Sequence, residues 1–153
     1  MLKDNCVFCS ILKGSIPSYK IYEDSKYLAI LDIFPNMPGQ TVIITKNHDY
    51  EYAFAMPDRE LSDLMLFSKK IANFLDNAMK CYKTALVIEG MMVQHVHVKL
   101  YPLIGTRPGM ILESGEVQKF HRYEGYITTK VGPMASKEEM EYNLKTIRDA
   151  NNL

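Results

Sequence analysis

The segment that most constrains this chain is residues 93–101, VQHVHVKLY, in which apolar and basic residues alternate. Side chains along a strand point to opposite faces in turn, so Val96, Val98 and Leu100 share one face while His95, His97 and Lys99 share the other. The pattern predicts a strand with an apolar side and a basic side. A single exposed histidine on such a face is ordinarily solvated. Two imidazoles beside a Lys differ, because at i and i+2 they stand about 7 Å apart and can face one pocket, where each can bind metal or attack phosphorus.

Other short runs rich in β-branched and aromatic residues predict strands at 19–22, 27–31, 41–45, 84–88 and 126–130. Two segments read as helices. After Pro57, Asp58 is expected to cap a helix whose Leu61, Leu64, Phe67, Ile71, Phe74, Leu75 and Met79 form an apolar stripe. Ser136 with Glu139 makes a capping box, and Met140, Leu144 and Ile147 give a short closing helix one apolar face. Strands first, with one long helix inserted before the last central pair, predict an α+β fold rather than a doubly wound sheet.

One compact domain is expected for 153 residues that are 47% hydrophobic and 24% charged, which also excludes disordered and collagenous chains. Eighteen basic side chains balance eighteen acidic ones, so no overall field would draw the chain to a nucleic-acid polymer or an acidic membrane. No apolar run reaches the roughly 20 residues that span a bilayer, and MLKDNCVFCS lacks the core of a signal peptide. A cytoplasmic location is the expectation. There the three cysteines, Cys6, Cys9 and Cys81, stay reduced, and metal binding or burial is favoured over a disulfide. The Cys6-x-x-Cys9 spacing by itself reads equally as a redox pair or as half of a zinc site.

The chain resembles the histidine triad (HIT) superfamily of nucleotide hydrolases and transferases. The likeness rests on CVFCSILKGSIPSYKIYEDSKYLAILDIFPNMPGQTVIITKNH, similar to the family's amino-terminal half in the order of its CxxC pair, Ile-Pro turn, acidic pair, Asp-Ile-x-Pro loop and Lys-x-His end. HVHVKLYP then falls where the family carries its His-x-His-x-His signature. The match covers residues 1–102 of a single domain spanning 1–153, with 103–153 as a carboxy-terminal strand and helix extension. Two departures stand out. Lys99 takes the place of the third histidine, a position at which a uridylyltransferase branch carries Gln. The glycine-rich loop before the triad, usually a source of Gly-Gln-Ser donors, is shortened to Glu89, Gly90, Met91 and Met92.

The resemblance implies a HIT-like fold, an antiparallel sheet of about five strands with one long helix on it, and a homodimer paired through that helix and a central strand. It implies nucleotidyl hydrolysis or transfer on a nucleoside phosphoramidate, dinucleoside polyphosphate or nucleotide sugar. His97 would be the nucleophile that becomes nucleotidylated. Lys99 beside it would disfavour the imidazolium and neutralise phosphate charge. Asp32 would accept hydrogen bonds from the ribose hydroxyls, and Val7, Phe8, Ile11, Ile16, Ile30 and Ile33 would as a set hold the base, although each alone reads as core rather than cleft. Cys6, Cys9, His48 and His95 would hold a structural zinc, with no metal at the reacting phosphate. Two other readings stay open: a nucleotide-binding protein without turnover, and a zinc hydrolase with His95 and His97 on one catalytic ion. His121 reads as a surface histidine and Cys81 as a buried thiol at the end of the long helix.

Overall fold

The computed structural model describes residues 2–110 and 134–153. Chain order is helix α1 (Val7–Leu12), strands β1 (Lys20–Glu23), β2 (Tyr27–Leu31) and β3 (Thr41–Thr45), a short 3-10 turn at Ala53–Ala55, helix α2 (Asp58–Met79), strands β4 (Thr84–Val87) and β5 (His97–Pro102), and helix α3 (Lys137–Asn151). The five strands form one sheet in the order β1-β2-β3-β5-β4, every pair antiparallel. This is the α+β arrangement expected from the sequence, with the last strand inserted beside β3. The strand expected at 126–130, and His121, lie outside the described residues.

β2 and β3 are buried along their whole length, which explains why YLAIL and TVIIT are unbroken apolar or β-branched runs. One face, carrying Ala29, Leu31, Ile43, Val98 and Leu100, packs under α2 and α3. The opposite face, carrying Leu28, Ile30, Val42 and Ile44, packs against Phe8, Ile11 and Leu12 of α1. Central strands covered on both faces have no solvent side to mark in the sequence, unlike the partly exposed edge strands β1 and β4.

α2 buries Leu64, Phe67, Ile71 and Leu75, with Leu61, Phe74 and Met79 packed partly buried against the same core. Its cap differs from the expectation. Pro57 occupies the N-cap and Asp58 is the first helical residue, with no side-chain cap bond. The ring of Pro57 already supplies a suitable backbone without needing the N–H, and Asp58 and Glu60 instead offer negative charge to the positive end of the helix. α3 starts as expected, with Ser136 Oγ accepting the Glu139 N–H at 3.1 Å. Met140 and Ile147 bury against the core beneath α2, while Arg148 donates to the Lys20 carbonyl on β1 at 2.7 Å. No helix among the described residues is long and apolar enough to cross a membrane.

Two features bear on the site. The strand expected at 93–101 begins only at His97. Before it, the His95 N–H turns back to the Val93 carbonyl at 2.8 Å and the Val96 N–H goes to the Tyr50 carbonyl at 3.2 Å, so the backbone leaves the ladder. α1 was not anticipated from the sequence. It spans only six residues, too few for the helical period to declare itself.

Candidate active site and metal cluster

α1 stands between two groups of functional side chains. On one side, Cys6 and Cys9 meet His48, which follows β3, and His95, which precedes β5. One ligand atom from each of the four lies within 4.8 Å of the others, and all four residues are buried. Cys9 Sγ is 3.1 Å from His48 Nδ1 and 3.7 Å from His95 Nδ1, and Cys6 Sγ is 3.5 Å from His95 Nδ1. A tetrahedral ion with Zn–S near 2.3 Å and Zn–N near 2.1 Å would set such S···N edges at about 3.6 Å. The donors are therefore spaced as such an ion requires.

The surroundings suit that chemistry as well. His95 Nε2 lies 2.9 Å from the Thr45 carbonyl, which can only accept, so Nε2 carries the proton and the Nδ1 lone pair faces the sulfurs. The Lys3 N–H donates to Cys9 Sγ at 3.3 Å, a bond that favours thiolate. Burial pulls His95 down to about 4, and burial likewise lowers His48, so both imidazoles are neutral and able to ligate near neutral pH. Burial also raises the Cys9 thiol, with the Lys3 N–H opposing it.

On the other side of α1 lies a cavity of about 250 Å³. Val7, Phe8, Ile11, Ile16, Ile30 and Ile33 all line it, together with Asp32, His97 and Lys99. Val7, Ile16, Ile33 and Phe34 are 38–46% exposed, a concentration of apolar surface left facing an open space. Phe8 packs edge-on against both histidines, with ring centroids 4.9 Å from His97 and 5.9 Å from His95.

His97 Nδ1 is 2.7 Å from the His95 carbonyl. Again the acceptor fixes the tautomer: the proton sits on Nδ1 and the lone pair on Nε2. Burial, followed by opposition between the His95 carbonyl bond and the Lys99 charge, leaves the His97 pKa below its ordinary value. The neutral ring is thus the stable form. Lys99 is mostly buried and its Nζ lies 3.9 Å from Asp32 Oδ2. Asp32 also accepts the Phe34 N–H at 2.9 Å on Oδ1 and Gln40 Nε2 at 2.7 Å on Oδ2.

The family model described as the HIT domain matches residues 13–103. The chain belongs to the HIT family. This HIT protein is 35% identical to the adenosine 5'-monophosphoramidase of Saccharomyces cerevisiae over 115 residues, 70% of its own chain and 68% of that protein. Among solved structures it is similar to a hypothetical histidine triad nucleotide-binding protein from Sulfolobus tokodaii, 28% identical with a TM-score of 0.72, covering 96% and 92% of the two chains. It shares its fold with a Zn-bound histidine triad family protein from Mycobacterium smegmatis, 24% identical with a TM-score of 0.68 over 95% and 92% of the chains.

The HIT fold divides the basic face in two. His95 turns into the sulfur cluster, while His97 and Lys99 line the cavity. Among the described residues the metal-spaced group contains His95 and not His97, which disfavours one catalytic ion between the two imidazoles. The face is also not the open polar surface that alternation suggests, since apolar walls enclose it and His97 is only 5% exposed. Cys81 is buried just beyond α2, with its Sγ 3.4 Å from Asp76 Oδ1. The sequence did not single out Gln40, Thr45, Phe34 or Val93. Gln40 precedes a strand in a Pro-Gly turn and Thr45 ends one, positions that carry no motif of their own.

Proposed function

We propose that this HIT protein is a nucleotidyl hydrolase or transferase acting on a nucleoside phosphoramidate, dinucleoside polyphosphate or nucleotide sugar through a His97 adduct. The observation that carries the reading is the tautomer of His97. With its Nδ1 proton held by the His95 carbonyl, the ring offers a neutral Nε2 lone pair in an apolar, partly enclosed cavity. Asp32 takes the ribose hydroxyls at one end and the apolar set holds the base, so that the α-phosphorus lies against that nitrogen.

Nε2 then attacks phosphorus. The bond from phosphorus to the leaving amine or phosphate breaks, and the leaving group departs with the bonding pair and takes up a proton. In the second step water attacks the α-phosphorus and the phosphorus–Nε2 bond breaks with its electron pair returning to Nε2. The proton lost by water replaces, through solvent, the one taken up by the leaving group, and a nucleoside monophosphate is released with His97 again neutral. Lys99, standing in place of the third histidine, offers an ammonium to the negative charge on the phosphate oxygens. Support comes from the 35% identity to a yeast adenosine monophosphoramidase.

Cys6, Cys9, His48 and His95 hold a structural zinc in this reading, supported by the spacing and tautomers of the cluster. When bound, the ion ties the amino terminus to the segments ahead of β5 and after β3. The protein pairs as a homodimer, a reading supported by exposed Leu66 on α2 and Leu86 on the edge strand β4. A second reading, binding without turnover, is favoured by Met91 and Met92, whose largely exposed thioethers offer a phosphate no N–H or O–H.

The two readings separate on one experiment. Wild type incubated with an adenosine phosphoramidate and quenched without acid should show an adenylyl mass on the peptide containing His97. His97→Ala should abolish turnover while leaving nucleotide affinity within about tenfold. Equal turnover by His97→Ala refutes the adduct, and tight binding without turnover by wild type selects the second reading.

A further inference from the structure

Gln40 is 2% exposed, immediately ahead of β3, and its side chain and backbone bond to Asp32 and to the turn that follows it. Its Nε2 donates to Asp32 Oδ2 at 2.7 Å, and its Oε1 accepts the Asn36 N–H at 3.0 Å. Its backbone carbonyl accepts the Asp32 N–H at 2.9 Å, while its own N–H reaches the Met37 carbonyl at 3.1 Å. The orientation of the amide follows from its neighbours, because a carboxylate only accepts and a backbone N–H only donates. Gly39 beside it has φ +75°, and an added Cβ would meet the Met79 side chain of α2 at 3.1 Å, so the turn holding Gln40 is itself wedged against the long helix.

An ionised carboxylate has about four lone-pair directions. Among the described residues the Phe34 N–H takes one on Oδ1 and Gln40 takes one on Oδ2, while the Lys99 ammonium stands 3.9 Å from Oδ2, beyond hydrogen-bond distance, so one direction on each oxygen remains. That remainder matches a cis-diol, whose two hydroxyls each donate one bond. From this we propose that Gln40 is a positioning residue for sugar selection: by occupying one lone pair of Oδ2 and locking the carboxylate plane, it presents the pair that distinguishes a ribose from a sugar lacking both hydroxyls. The inference rests on the proposed role of Asp32 and assigns the selectivity to a residue that does not itself touch the ligand.

The test compares affinity for adenosine monophosphate and for its dideoxyribose analogue, by calorimetry, in wild type, Gln40→Met and Gln40→Glu. Wild type should favour the ribonucleotide by about tenfold or more, since hydrogen bonds to a charged acceptor are among the strong ones. Gln40→Met should bring that ratio close to unity while leaving affinity for the dideoxy analogue within about twofold. Gln40→Glu, of nearly equal volume, keeps the packing but sets a second acceptor against Asp32, and should lower the ratio in the same way. A merely structural role would weaken both nucleotides alike, so an unchanged ratio in whichever variant folds overturns the proposal. A wild type with no preference would instead remove the sugar role of Asp32, and the inference with it.

Discussion

Stripping metal from the four-residue cluster should destabilise the protein measurably, and the structure sets the scale. The S···N separations of 3.1, 3.5 and 3.7 Å already bracket the roughly 3.6 Å of a tetrahedral zinc site, so binding requires little rearrangement. The ties are long in sequence: Cys9 reaches His48 across 39 positions and His95 across 86. Such distant ligands are not gathered in the unfolded chain, and the binding energy therefore adds to folding. With free zinc at about a thousandfold over its dissociation constant, linkage gives about 4 kcal/mol. For a domain of this size each kcal/mol moves Tm by about 2–4 °C, which predicts a rise of roughly 8–16 °C. The assay is thermal unfolding of wild type and Cys9→Ala, each in buffered zinc and in chelator, with metal content measured after gel filtration. Wild type should show the shift and retain about one zinc per chain; Cys9→Ala should show little of either. Identical Tm values for wild type in zinc and in chelator, with no metal retained, would reduce the cluster to four ordinary buried side chains.

Lys99→Met should fold, because the thioether replaces the aliphatic stem of a side chain already largely enclosed, yet turnover should fall by roughly tenfold or more for want of the ammonium; full activity would return Lys99 to a packing role. Glu23 is held down to about 2 by hydrogen bonds from Lys20 and Lys46. A depressed folded pKa means stability present above about 4.5 and lost as pH falls toward about 2. Glu23 is partly exposed, so Glu23→Gln should cost less than about 1 kcal/mol at pH 7 and nothing near pH 2, as read by urea unfolding at both; an equal cost at both would contradict the linkage. Ile147→Ala, at a fully buried position on α3, should cost about 2–5 kcal/mol, whereas Ser136→Ala should cost about 0.5–2 kcal/mol for its lost cap bond; near-equal Tm values would mean that α3 contributes little to the folded state.

Much of the fold was legible because its periods are local. The apolar stripe from Leu61 to Met79, the Ser136 cap and the runs that became β2 and β3 each declare themselves within a few turns or pleats. The matched motifs also named the residues that line the cavity and those that make the sulfur cluster, since spacing and residue type survive as a pattern along the chain. Alternation correctly put Val96, Val98 and Leu100 on the core side.

What alternation could not show is that His95 and His97, two positions apart and nominally on one face, serve different places. Only tertiary contacts decide this: the backbone leaves the ladder before His97 because the Tyr50 and Val93 carbonyls capture the amides ahead of it, and Thr45 then turns the ring of His95 toward the thiols. The sequence by itself determined the α+β order, the apolar faces and the donor types. The tertiary structure alone decided the tautomers, the enclosure of Lys99 and the clamp of Gln40 on Asp32, because each depends on a backbone group or side chain brought in from a distant part of the chain or across a turn with no periodic signal.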